Sequence, residues 1–126
     1  GGLGCQLIEE LEKEFSSEIE IMALGTNAQA TSKMIKAGAD SGATGENAVL
    51  INSKKVDFIL GPLGIVIPNS MMGELTAEMA ESIANSKARK LLLGIKQPHV
   101  EIIGTGDKSI NEMIADIIDE IKYVLN

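Results

Sequence analysis

Apolar positions recur along the chain in two rhythms, one helical and one extended. Leu7, Ile8, Leu11 and Phe15 fall at helical spacing, with Glu9, Glu10, Glu12 and Lys13 on the other face, which predicts a helix over residues 5–15. Residues 18–24 alternate Ile19, Ile21 and Ala23 with polar or softer positions and stop at Gly25, the pattern of a strand. A helix over 28–37 follows, with Gly38 as its stop. Residues 39–46 are small, polar and Gly-rich and are expected to be a connection. Residues 47–54 suit a short helix, although 49–52 also suit a strand. The apolar run 56–60, closed by Gly61-Pro62, has the look of a central strand buried on both faces.

Residues 63–75 are apolar but interrupted by Gly64, Pro68 and Gly73, and are expected to be a loop with one helical turn. A helix over 76–85 follows, with Thr76 as N-cap and Glu78 in the first turn. Strands are expected at 90–95 and 100–104. The few residues between them are too short for a parallel crossover, so this last strand should be antiparallel. Ile110, Met113, Ile114, Ile117, Ile118 and Ile121 then form one helical stripe, opened by the capping-box pattern Ser109-Ile110-Asn111-Glu112. Alternating strands and helices predict a single α/β domain over residues 1–126, a three-layer Rossmann-like arrangement with a mostly parallel sheet. The first helix is entered from Gly1-Gly2-Leu3-Gly4. A Gly-rich entry of this kind normally follows a strand, so the natural protein is expected to carry an N-terminal strand ahead of this sequence.

Composition narrows the classes of function. The 126 residues are 44% hydrophobic, enough for a real core, and 18 acidic against 11 basic residues leave a net charge of −7. No basic patch forms, which argues against nucleic acid and an anionic membrane as partners. Phe15, Phe58 and Tyr123 are the whole aromatic complement, so stacking platforms for single strands are missing. One cysteine, Cys5, excludes an internal disulfide, and no Cys-His metal pattern exists. With no bilayer-length apolar run and no signal core, a cytoplasmic address is expected.

Candidate chemistry follows from where the glycines fall. Ligands of open parallel sheets bind beyond the carboxyl ends of the strands. Gly25-Thr26-Asn27 and Gly61-Pro62-Leu63-Gly64 each follow a strand, and Gly1 to Gly4 would follow the absent one. Backbone N–H groups at Gly1, Gly2 and Gly4 would cradle phosphate. Thr26 and Asn27 would contact sugar or phosphate, or one of them caps a helix. A standard NAD site is disfavoured, because no acidic residue closes the strand ending at Leu24. Thr44, Gly45, Glu46 and Asn47 form a second candidate; alternatively Thr44 is an N-cap and Glu46 a first-turn acid. Asn69, Ser70 and Glu74 either line a pocket or satisfy turns. His99 is expected to be exposed. Cys5, near a helix start, is either a nucleophile of lowered pKa or a packed thiol.

Gly1-Gly2-Leu3-Gly4, Ala23-Leu24-Gly25-Thr26-Asn27-Ala28, Gly42-Ala43-Thr44-Gly45-Glu46-Asn47-Ala48 and Gly61-Pro62-Leu63-Gly64 with Asn69-Ser70-Met71 resemble an uncharacterised bacterial domain-of-unknown-function family. The resemblance spans essentially the whole chain. It implies a Rossmann-like domain whose complete members begin with a strand and a longer Gly-rich loop, and it implies no activity. The sequence therefore points to binding of a nucleotide or other phosphorylated small molecule at the rim of the sheet. Two alternatives stand beside it. One is an enzyme of unassigned reaction with Glu46 or Glu74 as acid/base. The other is a non-catalytic interaction domain that buries Met71 and Met72 in a homodimer.

Overall fold

A computed structural model describes residues 2–126. The expectation for Gly1 lies outside the described residues. Among the described residues five helices and four strands follow in the order α1 (Gly2–Phe15), β1 (Met22–Gly25), α2 (Ala28–Lys36), β2 (Ser41–Thr44), α3 (Glu46–Asn52), β3 (Phe58–Pro62), α4 (Ala77–Asn85), β4 (Arg89–Leu93) and α5 (Ile110–Leu125). Short 3-10 turns occupy Ser16–Glu18, Leu63–Val66 and Met71–Gly73. The α/β class is as expected, and both ladders are parallel: β1 pairs β2 from Met22↔Ser41 to Gly25↔Thr44, and β3 pairs β4 from Phe58↔Arg89 to Pro62↔Leu93.

Several expectations need correction. Residues 41–44, expected as connection, form β2. They were invisible to an apolar pattern because this strand hydrogen-bonds along one edge while Ser41, Gly42 and Thr44 stay exposed. Residues 100–104 do not form a strand. Val100 makes only an isolated antiparallel bridge to Gln97, and Ile103 is exposed. His99 and Gly104 both have positive φ, at 61° and 97°, so the backbone turns where a strand would run straight. Of the stretch 47–54, residues up to Asn52 are helix, within α3, and the strand alternative at 49–52 is not formed. The described part of α1 includes Gly2 and Gly4, so these two are helical and not loop.

Two apolar clusters cover the strands from opposite sides. One gathers Leu7, Ile8, Leu11 and Phe15 of α1, Met34 of α2 and Ile114, Ile117, Ile118 and Ile121 of α5 around Ile21, Ala23 and Leu93, with Phe58 and Leu60 packed against it. The other joins Val49 of α3 with Leu75 and Met79, Ala80 and Ile83 of α4, with Leu24 and Ile59 packed against it. Successive residues of β1 and of β3 thus serve different clusters, as the twofold alternation of a strand requires.

The starts of α2, α4 and α5 are closed by side chains. Asn27 Oδ1 accepts from the Ala30 N–H at 2.9 Å to cap α2. Thr76 Oγ1 accepts from the Met79 N–H at 3.2 Å to cap α4. At α5, Ser109 Oγ accepts from the Glu112 N–H while Glu112 Oε1 accepts from the Ser109 N–H, the reciprocal arrangement that the sequence predicts. Among the described residues no helix is long and apolar enough to cross a membrane.

Candidate functional site

The carboxyl ends of β1 and β2 meet the segment that follows β3. Thr26 Oγ1 donates to Glu74 Oε1 at 2.6 Å, and Asn27 Nδ2 donates to the same oxygen at 3.1 Å. Thr76 Oγ1 donates to Glu46 Oε1 at 2.5 Å. Asn27 therefore does two jobs, since its carbonyl oxygen caps α2 while its amide nitrogen holds Glu74. The residues after β1, after β2 and after β3 form one continuous polar rim.

The rim depends on a close approach beneath it. A Cβ at Gly25 would lie 2.1 Å from Thr31 Oγ1 and 2.8 Å from the Thr31 backbone nitrogen, so only glycine lets the strand turn so tightly into α2. Buried Thr31 in turn shares a hydrogen bond with Thr44 Oγ1 at 2.8 Å. That contact corrects the reading of Thr44 as an N-cap. The cap of α3 is Gly45, which has no side chain to offer, and Gly45 N–H donates to the Gly25 carbonyl at 3.0 Å.

The other sequence candidates divide between rim and packing. Gly4 faces Met34, whose Sδ would lie 2.6 Å from an added Cβ, so this glycine serves the contact of α1 with α2. Gly2, by contrast, has open space around it. Gly61 is buried within β3 and lies under Ile65. Asn47 and Asn69 are exposed. Asn69, Met71 and Met72 hold left-handed backbone with φ of 64°, 56° and 57°, an unusual run for non-glycine residues. Met72 is fully exposed. Cys5 lies inside α1, half-buried against the apolar cluster. His99 is exposed in the connection after β4.

A family model described as Domain of unknown function (DUF3842) matches residues 1–126. The chain belongs to this family. No curated protein and no solved structure matches it.

The electrostatics of the DUF3842 rim are set by its two glutamates. The ion pairs among the described residues, Arg89–Glu120, Lys108–Asp116 and Lys122–Glu14, all involve α5 and not the rim. The hydrogen bond from Thr26, followed by that from Asn27, holds the Glu74 carboxyl below its ordinary range. Glu74 is therefore an acceptor that stays ionised, suited to ligand hydroxyls or to a cationic group. A general acid at neutral pH needs a shift of the opposite sign. Among the described residues no group of three His, Cys, Asp or Glu side chains is placed to hold a metal ion.

Sequence reasoning picked out Glu74, Thr26 and Asn27 separately but did not join them, and it missed Thr76 and Thr31 as partners of the rim. The joining bond spans 48 positions, a distance at which no local pattern carries information. The Ser-Thr-Asn character of the loops was the only available signal.

The depressed Glu74 carboxyl gives a direct prediction. Thr26→Val removes the stronger donor, so the titration midpoint of Glu74, read from its side-chain carbon shift by NMR, should move up toward the ordinary carboxylate value. Because the folded-state value is the lower one, the stabilising contribution is present above the unfolded-state pKa and disappears as pH falls through the folded-state pKa. Thr26→Val should flatten that acid limb. An unchanged midpoint would show that Thr26 does not hold the carboxylate.

Proposed function

We propose that this DUF3842 domain binds a small molecule carrying both hydroxyls and phosphate, of the nucleotide or sugar-phosphate class, at the rim beyond β1, β2 and β3. The carrying observation is the position of Glu74. Its carboxylate lies against Thr26 and Asn27, the residues that follow β1. In dinucleotide-binding sheets an acidic residue at the end of the second strand accepts the ribose hydroxyls. Here β1 itself offers no acid, and the chain brings one from the segment after β3.

The finer architecture supports the same reading. Helices α1, α2 and α5 lie with one apolar cluster and α3 and α4 with the other, which suits a Rossmann-like three-layer domain with parallel strands between. Both donors to Glu74 converge on Oε1, leaving lone pairs of Oε2 for a ligand hydroxyl. Glu46, held by Thr76, offers a second acceptor. The phosphate belongs away from these carboxylates, at the first turn of α1, where unpaired backbone N–H groups and the helix dipole favour an anion. Gly2 leaves that turn unobstructed, while Gly4 drops out of the proposed cradle because it packs on Met34.

The test is a thermal-shift series with adenosine monophosphate, ribose 5-phosphate, ribose and inorganic phosphate. The two phosphorylated sugars should raise the unfolding midpoint by several degrees, since a ligand at about 100 times its Kd adds roughly 2.7 kcal/mol. Glu74→Gln should reduce that rise. No shift with any of the four at millimolar concentration overturns the proposal.

A further inference from the structure

We propose that the outer edge of β4 is a docking site for an extended acidic segment of another protein, bound as an added β-strand. The inference goes beyond the rim reading and stands apart from it. Arg89 N–H donates to the Asp57 carbonyl, so the odd-numbered residues of β4 turn their backbone groups toward β3. Those of Lys90 and Leu92 point the other way. Among the described residues β4 pairs only with β3, so the N–H and C=O groups of Lys90 and Leu92 line this edge with no strand beside them. A groove of about 420 Å³ runs along it. One wall is β4 from Lys90 to Gly94, and the other is Met113 and Ile117 of α5 with Gly104 and Thr105 of the connection. A Cβ at Gly94 would meet Thr105 Cγ2 at 3.1 Å, so the connection meets the strand at its end. An open row of N–H and C=O groups beside a groove for alternate side chains is the arrangement that accepts an extended peptide.

Charge selects the occupant. The chain carries −7 overall, yet residues 86–100 hold Lys87, Arg89, Lys90 and Lys96 and no Asp or Glu. Lys90 Nζ donates to the Ser86 carbonyl at 2.6 Å and to the Ala88 carbonyl at 3.2 Å. This holds the ammonium at the amino end of the edge, with a third hydrogen free for a carboxylate. Lys87 and Lys96 flank the strand, are exposed, and have no ion-pair partner among the described residues. On the α5 side the charges are already matched, Arg89 with Glu120 and Lys108 with Asp116. The two faces of an added strand therefore meet different surroundings. Leu93 faces the cluster of α1 and α5, so side chains of the added strand on that face meet Met113 and Ile117 and should be apolar. Those on the other face lie beside Lys90 and should be acidic. A second copy fits poorly, because antiparallel pairing of two β4 edges about Leu92 would bring Lys96 of each copy toward Lys87 and Arg89 of the other. Four cations, one already paired with Glu120, are also few for a nucleic-acid footprint.

NMR titration and amide exchange with the peptide Gly-Val-Glu-Val-Glu-Val-Gly test this. At about ten times its Kd the peptide should slow exchange of the Lys90 and Leu92 amides by roughly tenfold. The Leu91 and Leu93 amides, already turned toward β3, should change little, and the Met113 and Ile117 methyl signals should shift. The same peptide with Lys in place of Glu should bind roughly tenfold more weakly, and Lys90→Glu or Lys96→Glu should weaken the Glu peptide by a similar factor. The proposal is overturned if the Glu peptide does not bind at millimolar concentration, if the Lys peptide binds as well, if the two variants bind the Glu peptide unchanged, or if bound peptide leaves the Lys90 and Leu92 amides unprotected. Protection that grows with the concentration of the free chain would assign the edge to a second copy. Shifts at Lys87 and Lys96 with an oligothymidylate but not with the Glu peptide would assign it to nucleic acid. Either of these results also overturns the proposal.

Discussion

Gly25→Ala should cost the fold about 3 kcal/mol, at the upper end for an overpacked site. The added methyl would meet the Thr31 backbone nitrogen at 2.8 Å as well as its hydroxyl at 2.1 Å. A hydroxyl can rotate away, but the nitrogen is fixed in the first turns of α2, so strand and helix must separate. For a chain of this length the loss lowers the thermal midpoint by on the order of 10 °C. The damage should also reach the rim, because Thr26 and Asn27 follow directly and hold Glu74. The Glu74 titration midpoint should rise in the same variant. Urea unfolding and NMR titration check the two parts. A loss under about 0.5 kcal/mol, the range of ordinary surface changes, would mean the turn has slack that its geometry does not show.

Leu93→Ala should cost about 3–4 kcal/mol. Leu93 is 1% exposed in β4 and belongs to the cluster built by α1 and α5. Truncation loses the transfer free energy of the side chain and leaves a hole between a strand and two helices that cannot both move in. Against a total stability of roughly 5–15 kcal/mol for an ordinary domain, this is a large fraction. Met72→Ala is the contrast, since Met72 is fully exposed and its replacement should stay within about 0.5 kcal/mol. Urea midpoints for the pair, with an unchanged denaturant slope, give the comparison. Equal losses at the two sites would remove Leu93 from the core.

Helices α1, α2, α4 and α5 were legible in the sequence because each carries its own period, whereas the short α3, capped by a glycine, was not separated from a strand. The stripe from Ile110 to Ile121 and the Ser109–Glu112 pair announce α5 within a dozen residues. The presence of β3 was legible from its apolar run, but the strand runs from Phe58 to Pro62, pairs only with β4 among the described residues, and leaves Phe58, Ile59 and Leu60 half-buried, not central and buried on both faces. Strand β2 was not legible, because its residues are chosen by α2 and not by a core. Gly42 lies beneath Ile35, whose Cδ1 would be 2.7 Å from an added Cβ, and Thr44 is taken up by Thr31. In the opposite direction, Val100 and Ile102 copy a strand's alternation while His99 and Gly104 turn the backbone out of line. The rim was half legible. The glycine and Thr-Asn loops marked the ends of strands, yet the pairing of Thr26 with Glu74 and of Glu46 with Thr76 exists only once the chain is folded.

The start of α5 is self-contained, since Ser109 and Glu112 satisfy one another without help from the preceding connection. Residues 98–104 are thereby released from anchoring the helix. Length can drift there at little energetic consequence, because doubling a flexible loop costs only about 0.6 kcal/mol. This is where the domain can be rewritten, or carry an inserted segment, while α5 keeps its seat against α1.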